Sequence, residues 1–417
     1  MGGFSYMPAV YFSTSMTTKK REPKQCEDCG GDAIFHELTY WSLLIDEIVR
    51  PIIAPGPILR FLGHAFYGIE RIVTPAIFSA LVAVGAAKRI DEPDEHTMLL
   101  ALMIWEEAKA RGIQMWEFRL FNLPRNIFVA TYPNGKKIAF EGIPEPKGGN
   151  KRVWWMDNKA ILKQKFAKLG LPIASGGSSY SLKHAMKIYE RLVPPVIVKP
   201  YAGSASRHTV LHIDRPEELV RAFKVAKQVA PFAVIEEELV GPVYRATVVG
   251  GKLSATLRRD PPTVVGDGVH TIRELVEKEN THPARSGPYF HPIKLDEAAE
   301  KELAWKDYTF DSVPKSGTRV LLHQKVNWSV GGTTADVSDE VHPDNVALFE
   351  ETARVLKAPI VGIDFIISDI STSWTEEERA GILECNSMPF FDNHHLPFEG
   401  KPRNVAGDIW DMVTVSR

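Results

Sequence analysis

The sequence predicts an α+β protein of several lobes rather than a doubly wound sheet, and three observations carry that expectation. Helical periodicity and short apolar runs alternate irregularly from residue 95 onward, with hairpin-like turns between several of the runs. A chain of 417 residues exceeds a single small module, and 44% hydrophobic residues are enough for a sizeable core. Composition also excludes some classes. Fifty Lys and Arg against 52 Asp and Glu give a net charge of −2, so no overall basic field draws nucleic acid. Three cysteines cannot make a disulfide framework, which points to a reducing, cytoplasmic compartment. Residues 1–20 lack the apolar run and small-residue cleavage site of a signal peptide.

Taken in order, residues 1–38 are polar, Gly/Pro-punctuated and aperiodic, and are expected to form a flexible tail. Within it, Cys26-x-x-Cys29 resembles half of a zinc knuckle. Only Cys385 and scattered histidines such as His36 remain to complete a four-ligand site, and two ordinary thiols in a loose tail is the plainer reading. Residues 39–94 read as apolar helices broken at Pro51, at Pro55-Gly-Pro57 and at Pro75. The apolar stretch 72–87 falls short of the roughly 20 residues that cross a bilayer, so a buried helix is expected there and no transmembrane segment. A helical cap, an oligomerisation surface and a membrane-resting patch all remain open for this segment.

Residues 95–150 predict a small α/β unit: a helix over 96–111 stopped by Gly112, then strands over 115–120, 127–132 and 136–140, the last two joined by Pro133-Asn134-Gly135. Residues 151–417 form the remaining domain. Helices are expected at 158–169, 216–229 and 343–356. Strands are expected at 196–199, 233–237, 362–368 and 381–384, with a hairpin over 244–257 around Gly250-Gly251.

Several residues in this region carry chemistry. Lys159 opens a helix and Lys199 ends the apolar run Val196-Ile-Val-Lys199, each a compact charge suited to phosphate oxygens or, read alone, a solvated surface charge. Asp364 lies in an apolar strand, and Glu384 and Asn386 share a face at the end of the next by the two-residue period. Oxygen ligands of this kind suit magnesium, and a structural ion pair is the competing explanation.

These residues, in this order, resemble the motifs of ATP-grasp ligases: Lys159, Val196-Ile-Val-Lys199-Pro200, the run 234–239, Gly362-Ile-Asp364 and the run 383–389. Further segments at 264–272, 293–296, 311–314, 327–333, 339–343 and 399–406 are similar to the ATP-grasp region of cyanophycin synthetases. The likeness covers residues 150–417 and does not reach that family's Mur-ligase-like half. The resemblance implies an ATP-grasp fold, with ATP and Mg2+ as cofactors and a small-molecule or peptide carboxylate and amine as substrates. It places Lys159 and Lys199 on the phosphates, Glu236, Glu237 and Leu239 against adenine, and Asn327 at the phosphate and metal end. Asp364, Glu384 and Asn386 would hold the metal. Arg259 would stabilise developing negative charge, with Arg258 as its alternate; without the resemblance the two read as a solvated pair. The turn Gly266-Asp-Gly268 reads as a fold marker whose glycines permit positive φ.

Departures from the pattern qualify the expectation. The loop after Lys199 keeps only Gly203 of the family's glycines, leaving Ser204, Ser206 and Arg207 to contact phosphate. Val243 stands where the family has an acidic residue for the ribose. Asp392 replaces an arginine near the substrate while His394 keeps its place, which reverses the favoured substrate charge and argues against the cyanophycin primer. Three functions therefore stand together: an amide-forming ligase, an ATP-binding sensor or partner subunit without turnover, and a ligase-like phosphotransferase stopping at an acylated or phosphorylated product.

Overall fold

The computed structural model describes residues 26–29, 34–53, 74–146, 156, 159–202, 207–287, 289–323, 326 and 328–415. The predicted contacts of Ser204, Ser206 and Asn327 lie outside them, as do the breaks at 55–57. The architecture is α+β with sheets of four, five, two and four strands, an ATP-grasp-type arrangement preceded by a small α/β unit.

Helix α1 (His36–Ile53) runs through Pro51 instead of stopping there. Proline removes one N–H donor, and the helix still continues over the described residues beyond it. Helix α2, described over 74–83, contains Pro75. It is not the buried helix that its composition suggests: Ile77 is half exposed. Only its inner side packs, with Phe78 stacked on Phe118 at 4.0 Å between ring centres and Leu81 and Val82 nearby.

Strand β1 (Ala87–Ile90) then falls inside the segment read as helical, because it completes an antiparallel sheet with β2 (Gln114–Leu120), β3 (Ile127–Thr131) and β4 (Lys137–Glu141). Four residues are too few for periodicity to reveal a strand. Helix α3 (Leu99–Ala110) covers the other face through Ile104, Trp105 and Ala108.

After α4 (Lys159–Lys168) comes a four-stranded sheet ordered β5 (Gly176–Ser179), β8 (Ala233–Glu237), β6 (Val196–Pro200), β7 (Val210–Ile213). Helices α5 (Leu182–Tyr189) and α6 (Pro216–Lys227) pack on it around Val196, Val198, Leu219, Phe223 and Ile235.

The five-stranded sheet is ordered β13 (Thr333–Asp336), β10 (Lys252–Asp260), β9 (Val243–Val249), β14 (Ile360–Ile366), β15 (Gly381–Asn386), all antiparallel. Alternation along β9 and β14 gives it two unlike faces. Tyr244, Ala246 and Val248 with Val361, Ile363 and Phe365 form an apolar face under helix α9 (Pro343–Leu356). The opposite face is apolar at one end, where Val249, Ala255 and Ile360 meet α3 and α10 (Val405–Val415), and charged at the other. That charged end carries Arg245, Asp364 and Glu384.

A further small core joins β11 (Thr263–Val265), α7 (Ile272–Asn280), α8 (Glu297–Ala304) and β12 (Arg319–Leu321) through Val264, Leu275, Ile293 and Val320. Only one glycine of the 266–268 turn needs positive φ. Gly268 sits at +79°, whereas Gly266 is required because a Cβ there would meet the Lys315 carbonyl oxygen at 2.5 Å. Among the described residues no helix is long and apolar enough to cross a membrane.

Candidate active site

The register of the large sheet brings three charged residues into one row. Arg245 of β9 is the cross-strand partner of Asp364, which in turn is the partner of Glu384 on β15. The buried Asp364 carboxylate accepts hydrogen bonds from Nε and Nη2 of Arg245, the second at 2.9 Å, and Arg259 Nη1 stands 3.5 Å from its Oδ2. Burial alone would raise this carboxyl, but Arg245 and Arg259 outweigh it and hold it below the ordinary carboxylate range. Burial together with Arg245 pulls the Arg259 guanidinium below its usual range, against the attraction of Asp364. Asn386 lies across from Gly362, two residues beyond Glu384.

Arg258 points away from this row. As the neighbour of Arg259 on one strand it projects to the opposite face, where its Nε donates to Asp260 at 2.9 and 3.1 Å. The geometry therefore separates the two arginines that the sequence left as alternates.

Lysines from two elements converge opposite the carboxylates. Lys159, the first residue of α4, reaches Glu384 with Nζ 3.5 Å from Oε2. One turn on, Lys163 pairs with Glu236 of β8, and Lys199 of β6 pairs with the same carboxylate from the neighbouring strand. Glu236 and Lys199 are buried. Burial and the nearby Lys159 push Lys163 down to about 7. Burial, Lys163 and Lys159 push Lys199 well below the lysine range, with Glu384 opposing. The charges of the small sheet and the large sheet thus act on one another.

Glu236 is the anion between two lysines, because the two-residue period turns it to the same side of the sheet as Lys199. The Glu237 carboxylate accepts the Val193 N–H at 2.9 Å. Leu239 lies over β15, where a Cβ on Gly381 would meet its Cδ2 at 3.3 Å. Arg207 acts electrostatically on Cys29.

Beyond β15, Asp392 and His394 are both buried. Tyr289 donates its hydroxyl to Asp392 Oδ2 at 2.7 Å, while Oδ1, equally buried, has no hydrogen-bond partner among the described residues. Burial raises the Asp392 carboxyl in spite of Tyr289. His394 Nε2 is 2.7 Å from the Thr247 hydroxyl, and burial, with Arg245 next in effect, lowers this imidazole to about 3.

Four participants escaped the sequence reading: Arg245, Lys163, Thr247 and Tyr289. Lys163 had a signal, since it follows Lys159 by four residues and so shares its helix face. Tyr289 had none, being brought to Asp392 only by the chain's return.

No family model matches the chain. Its sequence is 34% identical over 260 residues to a cyanophycin synthetase of Trichormus variabilis, covering 61% of this chain and 29% of that protein. It is 29% identical over 324 residues to the glutathione biosynthesis bifunctional protein GshAB of Clostridium perfringens, covering 74% of this chain and 40% of that one. The chain thus spans less than half the length of these relatives. In fold it is similar to the crystal structure of a bifunctional glutathione synthetase from Pasteurella multocida, with a TM-score of 0.57 and 24% identity over 76% of this chain and 43% of that one. With the large antiparallel sheet, the smaller four-stranded sheet and the ordered lysine and carboxylate motifs, the sequence likenesses make the chain a member of the ATP-grasp ligase superfamily.

Proposed function

We propose that the protein is an ATP-dependent carboxylate–amine ligase that forms an amide or peptide bond through an acyl phosphate. The observation that carries this reading is the convergence of Lys159, Lys163 and Lys199 on only two carboxylates, Glu236 and Glu384. Three ammonium groups facing two anions, two of them with lowered basicity, make a place that polyphosphate completes. Ser204, Ser206, Arg207 and Asn327 are assigned to the same phosphates on the resemblance, and Leu239 to the adenine.

Asp364, Glu384 and Asn386 supply only oxygen ligands from adjacent strands, a donor set that fits magnesium. When bound, that ion neutralises charge on the transferred phosphoryl group. Arg245 positions Asp364 and keeps it ionised. Arg259, on the same side, faces the charge that builds as a substrate carboxylate oxygen attacks the γ-phosphorus and the bond to ADP breaks. The amine then attacks the acyl carbon, phosphate leaves, and the amide is formed. The unsatisfied Oδ1 of Asp392 is suited to accept a hydrogen bond from a cationic group of a substrate. The family's arginine at this position suits an anionic substrate group, so its exchange for Asp392 argues against the cyanophycin primer as substrate.

The test is ADP release by the full chain with ATP and magnesium against pooled amino acids and short peptides, with the product identified by mass spectrometry. Substrate-dependent release and an amide product, both abolished in Asp364→Ala and Glu384→Ala, are expected. ATP binding with no release across the pools would favour the sensor reading, and ATP-dependent extension of an Asp/Arg polymer would contradict the substrate assignment.

A further inference from the structure

Apart from the phosphate lysines, a second cluster gathers Cys26, Cys29, His36 and His208, whose ligand atoms all lie within 4.8 Å of one another. Among the described residues it is the one such gathering of three or more His, Cys, Asp or Glu donors. Cys29 Sγ is 3.2 Å from His36 Nε2 and 3.3 Å from His208 Nε2, and Cys26 Sγ is 4.0 Å from His208 Nε2. Zinc–sulfur bonds near 2.3 Å and zinc–nitrogen bonds near 2.0 Å at tetrahedral angles place sulfur and nitrogen about 3.5 Å apart. The observed edges bracket that value.

Local structure prepares each ligand. Glu27–Cys29 forms a single turn of 3-10 helix, with the Cys29 N–H donating to the Cys26 carbonyl at 3.1 Å, which sets both thiols on one side. His36 is the first residue of α1. His208, wholly buried with its backbone in the left-handed region at φ +53°, donates its N–H to the Asp28 carbonyl at 2.8 Å. Its Nδ1 is 3.1 Å from the Val225 carbonyl, which can only accept, so Nδ1 carries the proton and Nε2 turns a lone pair toward the sulfurs. An outer hydrogen bond of this kind fixes the tautomer of a metal-bound histidine.

We infer that Cys26, Cys29, His36 and His208 form a structural zinc site. It clips the segment before α1 to the small sheet at the residue that opens the way into β7, two positions beyond the 203–206 stretch. All four coordination positions are filled by protein, which distinguishes a structural from a catalytic zinc. The inference does not rest on the ligase reading, and its readouts are independent of turnover.

The experiment is metal analysis of the full chain, purified under reducing conditions, followed by exchange into cobalt(II). About one zinc per chain and an intense tetrahedral cobalt spectrum with thiolate charge-transfer bands are expected. Cys26→Ser, whose side chain is only half buried, should lose most of the charge-transfer intensity, as should His208→Ala. If the His208 variant does not fold, His36→Ala carries the same prediction from the end of α1. Less than a tenth of an equivalent of zinc with a weak octahedral cobalt spectrum would overturn the assignment, as would a cobalt spectrum unchanged in Cys26→Ser.

Discussion

The two halves of the candidate site bury charge in different ways. In the large sheet, Arg245 and Arg259 both stand against Asp364, while Glu384 on the next strand is reached by Lys159. In the small sheet, Lys163 and Lys199 share the single carboxylate of Glu236. The first arrangement is paired within the sheet at Asp364, and its ions hold one another in place. The second has a cation in excess, and burial already draws both lysines toward neutrality. A paired set serves to position groups, whereas an unbalanced set signals a missing partner of opposite sign, here an anion.

The comparison breaks most visibly at Asp364. Asp364→Ala leaves Arg245 buried without its partner, and loss of one member of a buried pair typically costs about 3–5 kcal/mol. A fall of that size in denaturant unfolding is expected. A variant as stable as the parent would mean that the row is not a closed unit.

Lys199→Met sharpens the other side. A charged hydrogen bond contributes about 1.5–3 kcal/mol, so ADP affinity should fall by roughly tenfold to a hundredfold. Stability should change less than in Asp364→Ala, because Glu236 keeps Lys163. Equal losses of stability in the two variants would erase the distinction.

Tyr289→Phe removes the side-chain hydrogen bond to the Asp392 carboxylate and should cost about 1–3 kcal/mol in thermal or denaturant unfolding. The smallest effect concerns protons. Lys163 titrates near 7 in the free protein, and phosphate beside it would restore its charge. Binding of ADP at pH 7 should therefore take up about half a proton, measured by calorimetry in buffers of different ionisation enthalpy. Uptake should vanish toward pH 5, where the lysine is already charged, and the component near pH 7 should disappear in Lys163→Met.

Much of this molecule was legible before its structure. The strand over 233–237 and the helix over 343–356 appear at the expected residues because β-branched runs and a proline-opened amphipathic pattern are local signals. Asp364 and Glu384 stood out because carboxylates in apolar strands demand a partner. What the pattern concealed was which partner. Arg245 looks like any charged strand residue until the register pairs β9 with β14. The pairing of Glu236 with Lys163 and Lys199 was hidden because its neighbours along the chain are visible in the sequence and its neighbours across the sheet are not. His208, joined to Cys29 across 179 residues, carried no local mark at all.

The most direct test of the unequal halves is ADP binding with and without magnesium, compared among the parent protein, Lys199→Met and Glu384→Gln. Lysines that hold phosphate and carboxylates that hold the cation predict that magnesium strengthens binding to the parent. Lys199→Met should then weaken binding at least tenfold under both conditions, while Glu384→Gln should lose only the gain from magnesium. Unchanged affinity in Lys199→Met, or a magnesium gain that survives Glu384→Gln, would contradict the account.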